Sequence, residues 1–337
     1  MRKDIIQLLE EIDSDPRVGI IFAYRYLLNR DPESLLFVEQ NQLDWRKLRE
    51  QFLASEEYRH LHGEPVKESQ EDIMLKEVEA FHLESYEQDF LKKLLRNMWL
   101  PGCEKILEIG CGDGKLVRAL AHFCPKASVI GIDPYLNKWW KTGAAAEENW
   151  QVRCGDGQNI KYPADTFDLI VSVCVFEHIP SPEDCLKEIK RVLKPGGLFI
   201  TAFSPIWSGI IGHHCEHWVA DTVNMIPPWG HLYLSYEEML QYLETAKGVA
   251  REKAIRMCDV IYKDPVINRI DVKRFERAFS NCGMKLLEKE QIVLGNRLGW
   301  LTGETKNELT SDILQKLAGR YTMEELLVYG YALTMQK

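Results

Sequence analysis

Three glycines spaced two residues apart, Gly110, Gly112 and Gly114, form the segment of this chain that is best suited to hold a nucleotide-type ligand. They follow a mostly apolar run at 106–109 that predicts a buried strand, and apolar residues then recur at helical spacing over 116–123. Because glycine has no Cβ, the backbone can turn tightly here and approach a ligand closely. The N–H groups at the start of the predicted helix would face that ligand. The pattern predicts a nucleotide-type cofactor.

The position of the third glycine separates two classes of such cofactors. The dinucleotide fingerprint G-x-G-x-x-G needs a third glycine where this chain has Lys115. Here that glycine comes one residue early, and an acidic residue, Glu108, stands two positions before the first glycine. The pattern disfavours a nicotinamide-dependent oxidoreductase, which stays as an alternative.

Two carboxylates come at the ends of later predicted strands. Asp133 closes the strand at 128–132, and a carboxylate there can accept hydrogen bonds from two ribose hydroxyls. Asp156 follows the strand at 150–154, where it could accept a hydrogen bond from an adenine amino group. The alternative for both is a turn-forming role. With the glycine segment in front of them, we favour cofactor binding.

Histidines are the candidates for taking a proton, because imidazole titrates near neutral pH. His178 follows the fourth predicted strand, and His213 and His214 lie in a polar, aromatic segment with His217. Their alternatives are a pocket wall or a structural hydrogen bond. Imidazoles also bind zinc, but the spacing H-H-x-x-H matches no strong metal signature. We therefore predict no metal site.

Strands and helices alternate after the glycine segment. This alternation predicts a doubly wound, mostly parallel α/β sheet, with ligands at the carboxyl ends of its strands. Ser181 and Pro182 predict the start of one helix, and Ser235 with Glu238 predicts the capping box of another. The further strands are predicted at 167–173, 198–202, 284–287 and 326–333, and one long helical pattern is predicted at about 75–99.

The order and spacing of these motifs resemble those of the class I S-adenosylmethionine (SAM) methyltransferases of type 11. The resemblance runs from about residue 100 to the C-terminus. It rests on 108–114, Asp133, 155–157, 167–170, 175–179 and the L-K-P-G-G run at 193–197. It implies a seven-stranded Rossmann-like sheet whose last strand is antiparallel. It also implies SAM as the cofactor, with the methionine part against the three glycines and the ribose on Asp133.

The resemblance further implies a set of site residues and a reaction. The cofactor-binding set is Glu108, Gly110, Cys111, Gly112, Gly114, Asp133, Pro134, Asp156, Gly157, Val173 and Cys174. The insertion at about 204–273 is expected to form the acceptor pocket or its lid, with His213, His214 or His178 as the base. The expected reaction is methyl transfer to a hydroxyl of a small molecule or glycan precursor. A module that binds SAM without turnover stays as an alternative.

The region before the sheet predicts a separate module. Residues 1–62 carry helical apolar stripes that resemble a short bacterial domain of the DUF4214 type, similar to modules found beside enzymes of cell-surface polysaccharide assembly. Residues 63–99 are expected to form a linker and a covering helix, and 100–337 the methyltransferase domain. The resemblance of 1–62 implies a protein partner or a scaffold role rather than chemistry.

Composition limits the remaining possibilities. A net charge of −9 argues against nucleic acid as the main partner, since binding to phosphates is driven by lysine and arginine. No apolar run approaches the length of a membrane span, and the N-terminus has no signal-peptide core. The nine cysteines include no C-x-x-C pair. We expect free thiols and a cytoplasmic protein.

Overall fold

The computed structural model describes seven stretches of the chain: 75–97, 99–100, 102–136, 144–146, 149–222, 224–293 and 310–337. They fall in one of the two units into which the chain divides, residues 74–337. The helical module predicted for 1–62 lies outside the described residues, so its resemblance stays a prediction.

One mixed sheet forms the centre of this unit. Its strands are β1 (Lys105–Ile109), β2 (Ser128–Asp133), β3 (Ala144–Ala146), β4 (Trp150–Cys154), β5 (Phe167–Val173), β6 (Leu193–Phe203), β7 (Lys285–Val293) and β8 (Val328–Gln336). Their order across the sheet is β3-β4-β2-β1-β5-β6-β8-β7. Strands β4, β2, β1, β5 and β6 are parallel, and β8 is antiparallel to both of its neighbours. The predicted α/β fold is confirmed, with the short β3 added antiparallel to β4.

Helices cover both faces of the sheet. They are α1 (Ser85–Arg96), α2 (Lys115–Phe123), α3 (Pro182–Val192), α4 (Gly230–Tyr233), α5 (Tyr236–Thr245), α6 (Arg251–Tyr262), α7 (Val272–Asn281), α8 (Ser311–Leu317) and α9 (Met323–Leu327). Short 3₁₀ helices lie at Val78–Phe81 and Cys215–His217.

The two faces arise from the alternation of side chains along each strand. In β1, Ile106 packs into a cluster with Leu94 of α1 and Leu120 of α2. The next residue, Leu107, packs into the opposite cluster with residues of α3 and α7, such as Phe275. Each such fully buried aliphatic side chain contributes about 1.5–3 kcal/mol to stability. This packing holds the carboxyl ends of β1, β2, β4 and β5 at one edge.

The insertion after β6 has an apolar core of its own. Met239 and Leu243 of α5 pack against Met257 and Ile261 of α6, together with Cys215. The predicted capping box begins α5: the Ser235 hydroxyl accepts a hydrogen bond from the amide of Glu238, and the Glu238 carboxylate accepts one from the amide of Ser235. Helix α7 lies outside this cluster and packs on the sheet.

Three elements differ from the prediction. The helical pattern at 75–99 is divided, because His82 is left-handed (φ 50°) and a capping box between Glu84 and Glu87 starts a new helix. Strand β6 begins at Leu193 rather than at 198, because Leu193 already pairs with Phe167. The start predicted for the last strand belongs to α9, so that strand begins at Val328.

The nine cysteines are all free thiols, as predicted; five are buried, and Cys154 at the end of β4 is exposed. Within the described stretches, no helix is both long enough and apolar enough to cross a bilayer.

Candidate functional site

The glycine segment connects β1 to α2 and needs glycine for two reasons. Gly110, Gly112 and Gly114 all have positive φ, at 77°, 47° and 72°, which is strained for residues that have a Cβ. A Cβ on Gly110 would also lie 2.2 Å from Cγ2 of Val175, in the loop after β5. The amide of Gly110 donates to the carbonyl of Ile132 at 2.7 Å, which joins this loop to the end of β2.

Glu108, near the end of β1, has an incompletely paired carboxyl group. Its side chain is buried, and its Oε2 has no hydrogen-bond partner. Its pKa lies well above the ordinary value, mainly because the group is buried. The neighbouring carboxylates of Glu87, Asp113 and Asp133 raise it further. A buried carboxyl among other acids is suited to receive a cationic group, which would supply both the missing charge and the missing hydrogen bond.

Asp133 holds the glycine loop in addition to its predicted role. Its Oδ2 accepts a hydrogen bond from the amide of Gly112 at 3.1 Å, and its Oδ1 accepts one from the amide of Tyr135 at 2.7 Å. Each carboxylate oxygen can accept more than one hydrogen bond, so two ribose hydroxyls can still bind. Sequence reasoning missed the bond to Gly112, because these residues are far apart in the chain. Ribose binding stays a prediction.

The loop after β4 has an ordinary turn at the predicted adenine position. Asp156 is exposed, and its Oδ1 accepts from the amide of Gln158 at 2.8 Å. Gly157 leaves no room for a side chain, because a Cβ there would lie 2.8 Å from Cγ2 of Ile109. The turn leaves Oδ2 of Asp156 for a ligand, so its adenine contact also stays a prediction.

The other predicted cofactor residues border the same edge. Pro134 begins the turn after β2. Val173 ends β5 and is buried, and Cys174 follows it with a φ of 54° and an amide that donates to the carbonyl of Ala202. Cys111 is buried in the glycine loop, and burial raises the pKa of its thiol. These thiols are un-ionised at neutral pH and are not nucleophiles.

The edge as a whole fits the methionine end of SAM, which carries an ammonium group and a sulfonium. Glu108 offers an unpartnered buried oxygen, and Glu87 and Asp113 add negative charge around it. Lys115 is already paired with Asp113 at 2.8 Å. The glycines leave a path for close approach of the backbone. The donor set therefore suits a cation rather than a phosphate.

His178 is held in one tautomer on the loop after β5. Its Nδ1–H donates to the carbonyl of Val266 at 2.5 Å, which leaves Nε2 with the lone pair of the neutral ring. Burial is the main cause that lowers its pKa. The ring stacks on that of His214, with centroids 5.3 Å apart and planes at 14°. His178 therefore meets the insertion and keeps one nitrogen that can accept a proton.

The adjacent histidines His213 and His214 point into different clusters. His213 Nδ1 accepts the amide hydrogen of Cys215 at 3.0 Å, so the neutral ring carries its hydrogen on Nε2 and has no free lone pair. His214 has a left-handed backbone conformation, with a φ of 55°. Its ring packs edge to face against that of His217, with the ring centroids 4.1 Å apart. Burial holds the pKa of both rings well below the ordinary value. Their predicted catalytic roles stay predictions, and His213 is the less suited as a base.

Glu177 is a residue that sequence reasoning did not place in the site. It lies beside His178, it is buried, and neither carboxylate oxygen has a hydrogen-bond partner. Burial is the largest cause that raises its pKa, to about 8, although the nearby amides of Glu177 and Ser204 oppose the shift. The available signal was an acidic residue between the apolar residues Phe176 and Ile179.

Within the described part of the chain, no three His, Cys, Asp or Glu side chains are grouped so that they could hold a metal ion. The H-H-x-x-H run does not converge, because His213 packs against His231 whereas His214 packs against His178 and His217.

Comparison with known proteins gives a consistent assignment for the central segment. Residues 107–201 match the family described as the methyltransferase domain. A Schizosaccharomyces pombe protein named an uncharacterized methyltransferase is 31% identical over 104 residues, which are 28% of this chain and 37% of that protein. The ubiquinone biosynthesis O-methyltransferase of Coxiella burnetii is 27% identical over 195 residues, which are 55% of this chain and 77% of that protein.

A solved SAM-dependent methyltransferase from Mesorhizobium loti aligns with 73% of this chain and 97% of its own, at a TM-score of 0.42 and 15% identity. The chain spans about two fifths of the length of the first curated relatives that it matches, 37% and 41%. Residues 107–201 are therefore similar to a methyltransferase domain, a class whose cofactor is SAM.

Proposed function

We propose that this chain transfers a methyl group from SAM to a hydroxyl group of a small molecule or glycan precursor. The observation that carries the cofactor part is the unpartnered, buried Oε2 of Glu108 beside the three positive-φ glycines. This arrangement favours a cationic, close-fitting ligand over the phosphates of a dinucleotide. Within the proposal, Asp133 binds the ribose and Asp156 the adenine.

SAM supplies an electrophilic methyl group on its sulfonium when it is bound. The protein must then align the acceptor oxygen with the bond between this methyl group and sulfur, and exclude water. The loop after β5 is placed for this task, because Val175 contacts Gly110 and His178 touches the insertion through His214. The insertion would cover the acceptor and choose among acceptors.

A hydroxyl acceptor is supported by two observations. The rings of His178 and of His214, which stacks on it, have lowered pKa values, so they are neutral hydrogen-bonding groups at pH 7 and suit an uncharged acceptor. The Coxiella burnetii relative is named an O-methyltransferase. The glycan alternative and a protein partner rest only on the resemblance of residues 1–62. Of the three histidines, His178 has the nitrogen best suited to hydrogen-bond the acceptor.

Methyl-labelled SAM with a fractionated bacterial extract tests the proposal. Label in sugar nucleotides or lipid-linked glycans would support the glycan precursor, and label in an apolar small-molecule fraction would support another hydroxyl acceptor. Binding of SAM without labelled product in any fraction would favour a binding module. A thermal shift with NAD but none with SAM would instead favour an oxidoreductase.

A further inference from the structure

Glu177 is a buried acidic residue in the loop after β5. A fully buried carboxyl without hydrogen bonds is costly, and one that a folded protein retains calls for an explanation. Neither oxygen of Glu177 has a partner among the described residues. The amides of Glu177 itself and of Ser204, which follows β6, lie near the carboxyl and favour its charged form, but neither forms a hydrogen bond of normal geometry with it. The group therefore points to a ligand.

The loop that carries Glu177 packs directly on the cofactor segment. Val175, two residues earlier, fills the space beside Gly110, where a Cβ would lie within 2.2 Å of its Cγ2. Cys174 lies within electrostatic reach of both Glu177 and Glu87, and Glu87 in turn acts on Glu108. Through Val175, the loop that carries Glu177 therefore packs against the glycine segment at the methionine end of the predicted cofactor site.

The insertion fixes this loop from the other side. Asn268 donates from its amide to the carbonyl of Glu177 at 3.0 Å, and from Nδ2 to the carbonyls of Phe176 and Ile179 at 2.6 and 2.8 Å. Its Oδ1 accepts the amide hydrogen of Ile270, which locks the orientation of the side chain. Glu177 therefore sits on a rigid turn, as a group that must meet a reacting atom should.

Three ionisable groups that interact electrostatically with Glu177 stay neutral near pH 7. They are Tyr86 on α1, Cys174 at the end of β5 and Tyr329 on β8. Burial is the main cause that raises the pKa of each, and the charge of Glu177 adds to it. The charge of Glu216, which lies in the insertion, also raises the pKa of Tyr329. The neighbouring His178 has its pKa lowered instead.

We propose that the Glu177 carboxylate is the catalytic base of the methyl transfer and receives the proton of an uncharged hydroxyl acceptor. In this step the acceptor oxygen forms a bond to the methyl carbon, and the carbon–sulfur bond breaks with its electron pair going to sulfur. The O–H proton moves to Glu177, which later releases it to water. The proposal rests on the proposed function. Within it, His178 binds and orients the acceptor and forms part of the pocket wall.

Binding of two cofactor analogues tests this without knowledge of the acceptor. Sinefungin carries an amine in place of the transferred methyl group, so its ammonium should meet the base, whereas S-adenosylhomocysteine has nothing there. We expect wild-type protein to prefer sinefungin by about tenfold at pH 8.5, as a charge-assisted hydrogen bond implies. The preference should fall at pH 6, where Glu177 is protonated.

Glu177→Gln should remove this pH-dependent preference and keep the affinity for S-adenosylhomocysteine, which also reports that the variant is folded. Ser172→Ala, which removes a buried hydroxyl on β5 that also has no hydrogen-bond partner, is the matched control and should behave as wild type. A pH-independent preference in wild type, or its loss in His178→Asn but not in Glu177→Gln, would overturn the inference. Failure of wild type to bind either analogue would refute the proposed function itself.

Discussion

The buried Glu177 carboxyl predicts a pH dependence of folding that can be measured without any ligand. Its pKa rises from 4.5 in an unfolded chain to about 8 in the folded protein. Between these values the folded state binds a proton that the unfolded state has lost, so stability falls as the pH rises through this window. Below pH 4.5 the stabilisation by the neutral group is fully present, and above pH 8 it is gone.

The size of this effect follows from the shift. Each pKa unit corresponds to about 1.4 kcal/mol, so Glu177 lowers the free energy of unfolding by up to about 5 kcal/mol between pH 4.5 and pH 9. At pH 7 the loss is about 3 kcal/mol. Glu177→Gln has nearly the same shape and cannot ionise. The variant should therefore become more stable than wild type as the pH rises.

Urea denaturation at steps from pH 5 to pH 9 measures this difference. We compare how the free energy of unfolding changes with pH in the two proteins. The buried glutamine amide also lowers stability, but by an amount that does not depend on pH. Ser172→Ala should follow the wild-type curve at every pH. Parallel curves for wild type and Glu177→Gln would refute the reasoning, since they would show that Glu177 ionises at an ordinary pKa in the folded protein.

Three further changes test other contacts of the site. Gly110→Ala should lower the free energy of unfolding by about 2–5 kcal/mol, because of backbone strain and overlap with Val175. Gly112→Ala, whose Cβ would have no described atom within 4 Å, should lower it by only about 1–2 kcal/mol. Equal losses in thermal denaturation would contradict the packing of this loop. Asp133→Ala should weaken SAM binding at least tenfold in calorimetry, through lost ribose contacts and the lost bond to Gly112, and unchanged affinity would sink that assignment. Asn268→Ala should cost about 2–4 kcal/mol, because two carbonyls of the Glu177 loop lose their donor; the exposed Asn97→Ala, which removes a bond to Lys93, is the control and should cost under about 1 kcal/mol.

Much of the fold could be predicted because its signals are local. Apolar runs, glycines and caps lie close together in sequence, so the strands and the helices that begin at Pro182 and Tyr236 follow from their own residues. The division of the helical pattern at 75–99 was missed, because in sequence the two glutamates of the capping box look like part of the charged face of a helix.

The site was predictable where it depends on strand ends and less so where it depends on tertiary contacts. Asp133 lies at the end of β2 as predicted, but its bond to Gly112 was not expected, and its role in ribose binding stays a prediction. His213 and His214 were treated as equals, because sequence cannot show that one accepts a backbone amide hydrogen and the other stacks on His178. Glu177 was passed over because its importance comes from complete burial without a partner. Burial of a single polar residue depends on elements as distant as Asn268.

Calorimetric titration of the full chain with SAM, and separately with NAD, tests the central claim most directly. The claim is that SAM binds at the carboxyl ends of β1, β2, β4 and β5, where the buried Glu108 carboxyl and the glycine loop contact it. The account predicts saturable binding of one SAM per chain and no heat with NAD. Binding of NAD, or no binding of SAM, would contradict it.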